Sequence, residues 1–192
     1  MKSIKNIAAL CVLLTTASAV TALERESIFN GEVVSHGGFG GLSLKTTSLN
    51  GETEVMAGGK GAWLINHSTY IGGAAYGTKD NLDNTNLEMG YGGLLIGHIF
   101  KPSKLVHYNI ELLAGGGGLG EQYEHRKDSD EYKGDAFAFF EPGVNVSLAL
   151  TKFADISLGA SYRLVDGTNQ DILSDSDLSG WSVNSSIVFG KF

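Results

Sequence analysis

Histidines, clustered carboxylates and glycine runs are the residues of this chain whose types and spacing suggest chemistry. His98 and His107 flank Pro102-Ser103. A two-residue turn there sets His98 opposite His107, Leu95 opposite Ile110 and Gly97 opposite Tyr108. Two facing imidazoles suit Zn or Cu, but a site needs three or four ligands and no third accompanies them. A neutral, hydrogen-bonded pair is the alternative. His67-Ser68 puts a hydroxyl beside an imidazole, but with no acid partner in its tight turn; an oxygen nucleophile needs a base within hydrogen-bond reach. His125 sits in a long charged connection. Asp128-Ser129-Asp130-Glu131, and Asp171, Asp175, Ser176 and Asp177, could gather Ca²⁺ or Mg²⁺, yet both lack the alternating ligands, central glycine and closing Glu of an EF-hand. They read as solvated acidic loops. Gly115 to Gly118 and Gly37-Gly38-Phe39-Gly40-Gly41 lack the Gly-Lys-Ser/Thr ending of a phosphate loop, and no helix follows. Close backbone approach or sheet bending accounts for them. No catalytic, cofactor-binding or metal residue is assigned, and no cofactor is expected.

The elements that would position these residues are strands. Phe140, Pro142, Val144, Val146, Leu148 and Leu150 alternate with Glu141, Gly143, Asn145, Ser147 and Ala149. Ile156, Leu158, Ala160, Tyr162 and Leu164 alternate with Ser157, Gly159, Ser161 and Arg163. Val106, Tyr108, Ile110 and Leu112 alternate with His107, Asn109 and Glu111, and Trp181, Val183, Ile187 and Phe189 with Ser182, Asn184 and Ser186. Period-two alternation marks strands. A fourth segment is mixed: Leu87, Met89, Tyr91, Leu95 and Ile99 share one face, Leu94 and Ile96 the other. A second offers Val55, Ala57 and Trp63 against Met56 and Lys60. Segments near 35–45 and 69–78 are glycine-rich and leave their faces open. Folding about Lys152 pairs Val146 with Leu158, Leu148 with Ile156, Pro142 with Tyr162, Ser147 with Ser157 and Glu141 with Arg163. A one-residue slip would turn every side chain over.

Eight such segments follow residue 30, and their connections alternate. Ile65–Ser68, Lys101–Lys104 and Thr151–Ala154 are short. Thr46–Thr53, Lys79–Thr85, Gln122–Gly134 and Asp166–Ser179 are longer and polar. Tight turns on one side and long loops on the other are the layout of a spanning β-barrel, with both termini on the turn side. The polar faces are mostly Gly, Ser and Asn, with about one charge each: Lys60, Glu88, Glu111, Glu141 and Arg163. That composition suits a narrow lumen filled by side chains, with the apolar faces turned to lipid.

Composition agrees. Twenty-seven glycines and two prolines in 192 residues disfavour a helical bundle. Lys2 and Lys5, the apolar run Ile7 to Leu14 and the small residues Ala17-Ser18-Ala19 and Val20-Thr21-Ala22 form a secretory signal peptide over residues 1–22, with Ala19 the alternative cleavage point. Residues 23–192 then form the barrel domain. Cys11, the single cysteine, lies in the signal, so the processed chain has no disulfide. Loss of Lys2 and Lys5 takes the formal net charge from −7 to −9. Nucleic acid is disfavoured as a partner, since its binding needs phosphate neutralisation by Lys and Arg.

With this signal, these alternating strands and the ending Ser186-Ile187-Val188-Phe189-Gly190-Lys191-Phe192, the chain resembles the small bacterial outer-membrane β-barrels of the OmpA/OmpX-type group. The resemblance covers about 30–192. It implies an eight-stranded antiparallel up-and-down barrel in the cell outer membrane, contacting outer-membrane lipids and lipopolysaccharide. It implies that Phe192 serves in recognition by the barrel-assembly machinery; Val188 shares its parity, whereas the hydrophobics Ile187 and Phe189 lie on the other. No catalytic residue carries over. The expected role is structural or surface-interacting, non-enzymatic, and exercised through the extracellular loops 122–134 and 166–179. The alternatives are a carrier of a small hydrophobic ligand, walled by the glycine-rich strands, and a lipid A-modifying enzyme, for which His125 is the imidazole on the outer side.

Overall fold

The computed structural model describes residues 35–49, 52–78, 87–121, 135–168 and 174–192. The proposed signal peptide, the 122–134 loop with His125 and its acidic run, and Asp171 lie outside the described residues. Eight strands run β1 (His36–Leu49), β2 (Glu52–Ile65), β3 (Thr69–Thr78), β4 (Leu87–Phe100), β5 (Val106–Glu121), β6 (Asp135–Thr151), β7 (Ala154–Asp166) and β8 (Gly180–Lys191). A single helical turn, α1 (Asp175–Leu178), precedes β8. Each strand pairs antiparallel with the next, and β8 pairs with β1 from Gly38↔Lys191 to Thr47↔Ser182, closing the barrel.

The expected faces hold on β5, β6, β7 and β8. Val106, Ile110, Val144, Val146, Leu158 and Val183 are exposed on the outer wall. His107, Asn109, Glu141, Asn145, Ser157 and Ser182 are buried inside. The β6–β7 register is as expected, with Val146↔Leu158 and Ser147↔Ser157.

β4 departs from the rule. Its larger apolar face, with Met89, Tyr91, Leu95 and Ile99, turns into the lumen, and Leu94 and Ile96 face out. Asn145, Ser147, Ser157 and Ser161 of β6 and β7 leave room across the lumen, and the bulky residues of β4 help to fill it. Glu88, expected inside, is exposed. It stands one residue from the start of β4, at the loop end.

The connections also differ in length. Strands β1 and β2 leave residues 50 and 51 between them, far less than the Thr46–Thr53 loop expected. The β2–β3 turn, residues 66–68, places Asn66 and His67 at φ 51° and 57°, both left-handed, and is closed by Ser68 N–H donating to the Ile65 carbonyl at 3.2 Å. The β4–β5 connection is longer than two residues. Lys101 takes φ 55°, Lys104 N–H donates to its carbonyl at 3.0 Å, and pairing resumes at Phe100↔Tyr108. The strands are therefore offset by three from the expected register. Leu95 faces Leu113, and His98 faces Ile110. An odd offset puts His98 on the outer wall and His107 in the lumen, so the two imidazoles do not meet.

Gly97 shows what the interior requires. A Cβ there would collide with the ring of Tyr70, its β3 partner. An aromatic does cover this glycine, but it comes from β3 rather than from Tyr108. Gly97→Ala should destabilise the barrel by about 1–3 kcal/mol through overpacking, since Tyr70 must leave its hydrogen bond to Glu111. Urea unfolding in lipid vesicles measures this; a variant as stable as the parent would show that the ring moves freely.

Candidate functional site: the lumen and its two ends

Charges at the middle of the lumen are paired across it. Lys45 on β1 makes an ion pair and hydrogen bond with Glu141 on β6, donates to Tyr91 Oη at 2.8 Å, and lies 3.9 Å from the Tyr76 ring centre. Glu141 also accepts from Tyr91 Oη at 3.0 Å and Ser161 Oγ at 2.6 Å. Asn184 donates to Ser161 at 3.1 Å, carrying the network to β8. Lys60 on β2 reaches Glu111 on β5 at 3.3 Å, and Tyr70 Oη donates to the same carboxylate at 2.9 Å. An ion needs such partners when it leaves water, because desolvation costs several kcal/mol per charge.

Glu141 and Arg163 share the predicted position across β6 and β7 but do not form the predicted pair. Lys45 takes Glu141, and Arg163 points towards the loop end. There its guanidinium donates to the Leu178 carbonyl at 2.8 Å and the Thr47 hydroxyl at 3.4 Å, and lies over the Tyr91 ring at 4.9 Å. Arg163 and Leu178 are both 0 % exposed. Together with Met56, Met89, Leu119, Phe137 and Phe139, Leu178 closes the loop end of the lumen. Sequence reasoning read 166–179 as a free binding loop and missed this inward fold; the apolar Leu178 among acids is the signal that could have shown it.

Two of α1's own carboxylates tie it to the residues that precede it. Thr168 donates to Asp175 through its hydroxyl at 2.7 Å and its N–H at 2.9 Å. Ser174 donates to Asp177 through its hydroxyl at 2.6 Å and its N–H at 3.0 Å. These bonds hold both carboxyls below the ordinary carboxylate range, the Thr168 and Ser174 hydroxyls being the largest cause in each case.

The turn end is polar on one side. Asn145 donates to Asn109 at 2.8 Å and Ser147 and Ser157 lie 2.8 Å apart. His107 places Nε2 3.2 Å from Asp155 and Nδ1 3.3 Å from the Lys104 carbonyl. Both ring nitrogens of His107 are thus engaged. His98 is 3.1 Å from Thr69 Oγ1 on the outer wall, His36 packs on Trp63, and His67 sits exposed in its turn. Among the described residues no three His, Cys, Asp or Glu side chains gather as metal ligands. A hydrophobic ligand carried inside would need a connected cavity. The lumen is instead occupied by Lys60, Glu111, Glu141 and Arg163 with their partners, and glycine-rich β5 is filled as well: a Cβ at Gly117 would collide with Phe137.

No family model matches this sequence, and no curated protein matches it. Solved structures do. Neisserial surface protein A (NspA) superposes with TM-score 0.64 at 13% identity, covering 84% of this chain and 100% of that one. Ail, the attachment invasion locus protein of Yersinia pestis, solved with the heparin analogue sucrose octasulfate, superposes with TM-score 0.54 at 11% identity, covering 81% and 97%. At these identities the likeness is one of fold. Closed topology, apolar outer wall and filled lumen define the class of fold: a small eight-stranded β-barrel of the kind that spans outer membranes.

Lys45→Met should cost about 3–5 kcal/mol, because Glu141 is left buried without its cation. Adding Glu141→Gln should recover much of this loss. Urea unfolding in lipid vesicles measures both, and a double variant no better than the single would deny the pairing. For α1 the sign follows from the lowered carboxyls. Their stabilisation is present above the unfolded carboxyl pKa and is lost as pH falls through the lower folded value. NMR titration in nanodiscs should show the Thr168 amide moving only in that acid window, and Asp175→Asn should abolish the movement. Titration at the ordinary carboxylate value would contradict the bonding described.

Proposed function

We propose that this chain is a non-enzymatic outer-membrane barrel whose working surface is its loop end. One observation carries the reading: the outer wall is apolar while the lumen is occupied by paired charges and packed side chains, leaving the connections as the adaptable surface. Loops on a rigid scaffold are where binding usually resides. The structural likenesses support a surface role, one being a surface protein and another an attachment invasion locus protein. The partner differs in charge from the sulfated analogue bound to Ail. Residues 166–179 carry Asp166, Asp171, Asp175 and Asp177 and no Lys or Arg, and in 122–134 Glu124, Asp128, Asp130 and Glu131 outnumber Arg126, Lys127 and Lys133. Together these connections repel polyanions and fit a cationic or neutral partner. Outer-membrane lipid and lipopolysaccharide surround the wall, and the barrel-assembly machinery inserts it. The turn side, with the start of β1 and the end of β8, faces the periplasm in this orientation.

The test replaces 122–134 by a short Gly-Ser turn. Cells producing the native chain should adhere to an epithelial monolayer better than cells lacking it, and the exchange should remove that gain. The exchanged protein should still fractionate with outer membranes and change gel mobility on boiling. Adherence that survives the exchange would overturn the loop reading, and recovery as a soluble periplasmic protein would overturn the barrel's placement.

A further inference from the structure

Among the described residues, the two ends of the barrel expose opposite charges. Exposed carboxylates Glu88 and Asp166 stand at the loop end. Among the described residues of the turn end, Lys101, Lys104, Lys152 and Lys191 are exposed, while the one carboxylate, Asp155, is buried against His107. Two of these lysines share a cavity. An open hollow of about 580 Å³ lies in the mouth between the β4–β5 and β6–β7 turns, lined in part by Ser103, Lys104, His107, Thr151, Lys152 and Asp155. His107 and Asp155 satisfy one another on its floor, and Lys104 and Lys152 are the side-chain ammonium groups at its edge.

The same two turns are amphipathic. Leu105, next to Lys104, is 66 % exposed, and Phe153, next to Lys152, is 60 % exposed. They continue the apolar outer wall of Val106, Leu148 and Leu150. An apolar side chain on the lipid side with an ammonium beside it is the arrangement that fits an acyl chain below and a phosphate above. Anionic membrane surfaces attract such lysines. Hydroxyls of Ser103 and Thr151 at the same cavity supply donors for phosphate oxygens.

We infer that this mouth is a binding site for the phosphate headgroup of an anionic phospholipid from the leaflet around the turn end. The inference rests on the membrane placement proposed above. Charge complementarity selects the headgroup, and Leu105 and Phe153 select a lipid over a soluble anion.

The test uses the processed chain in nanodiscs of phosphatidylcholine and phosphatidylglycerol in equal amounts, read by native mass spectrometry of retained lipid. The native chain should keep phosphatidylglycerol preferentially. Lys104→Gln with Lys152→Gln should lower that retention several-fold, whereas Lys101→Gln, outside the cavity, should leave it unchanged. Heat-dependent gel mobility reports separately that each variant is inserted, so failure of insertion counts against the membrane placement and not against the site. Equal retention of the two lipids, an unchanged double variant, or an equal loss with Lys101→Gln would each overturn the site. Displacement of the lipid by inorganic phosphate would show a soluble-anion site instead.

Discussion

Everything in this molecule follows from the seam between β1 and β8. Hydrocarbon offers no water to the peptide N–H and C=O groups, so a sheet can stand in it only when its first and last strands bond to each other. Ten residue pairs from Gly38↔Lys191 to Thr47↔Ser182 make that closure. Once the sheet is closed, each strand has one face towards lipid and one towards a narrow lumen. With eight strands, that lumen is about as wide as the side chains that fill it.

Filling the lumen is a problem of complementarity across it, not along it. Strands β6 and β7 project Asn145, Ser147, Ser157 and Ser161 inward towards the turn end and Phe137 and Phe139 towards the loop end, and β2 to β5 answer with Met56, Leu64, Tyr70, Tyr91 and Leu95. Charges obey the same logic. Lys45 reaches Glu141 and Lys60 reaches Glu111, each pair bridging strands far apart in the chain. Arg163, lying over the ring of Tyr91, is left to hold Leu178 down over the loop end. A lumen used up in this way is why the proposed binding surfaces are the loops at one end and the lysine-bearing turns at the other.

Much was legible in the sequence where one face was uniformly apolar and the other uniformly small and polar. β5 to β8 are of this kind, and the β6–β7 register follows from matching apolar to apolar about Lys152. β4 was not legible, because both of its faces carry large apolar residues and period-two reading cannot say which meets lipid. The His98 and His107 pairing failed for a different reason. Lys101 adopts a left-handed conformation and the turn takes extra residues, and an odd offset sends the two imidazoles to opposite faces.

Alternation along each strand is a local property, so the sequence by itself determined the strands and the outer wall of half the barrel, while the lengths of the β1–β2 and β4–β5 connections came out otherwise than read. Which partner each buried charge chooses depends on distances across the lumen, and these exist only after closure. The trans-lumen pairs, the covering of Gly97 by Tyr70, the inward fold of α1 and the lysine-lined mouth were therefore decided by the tertiary structure alone.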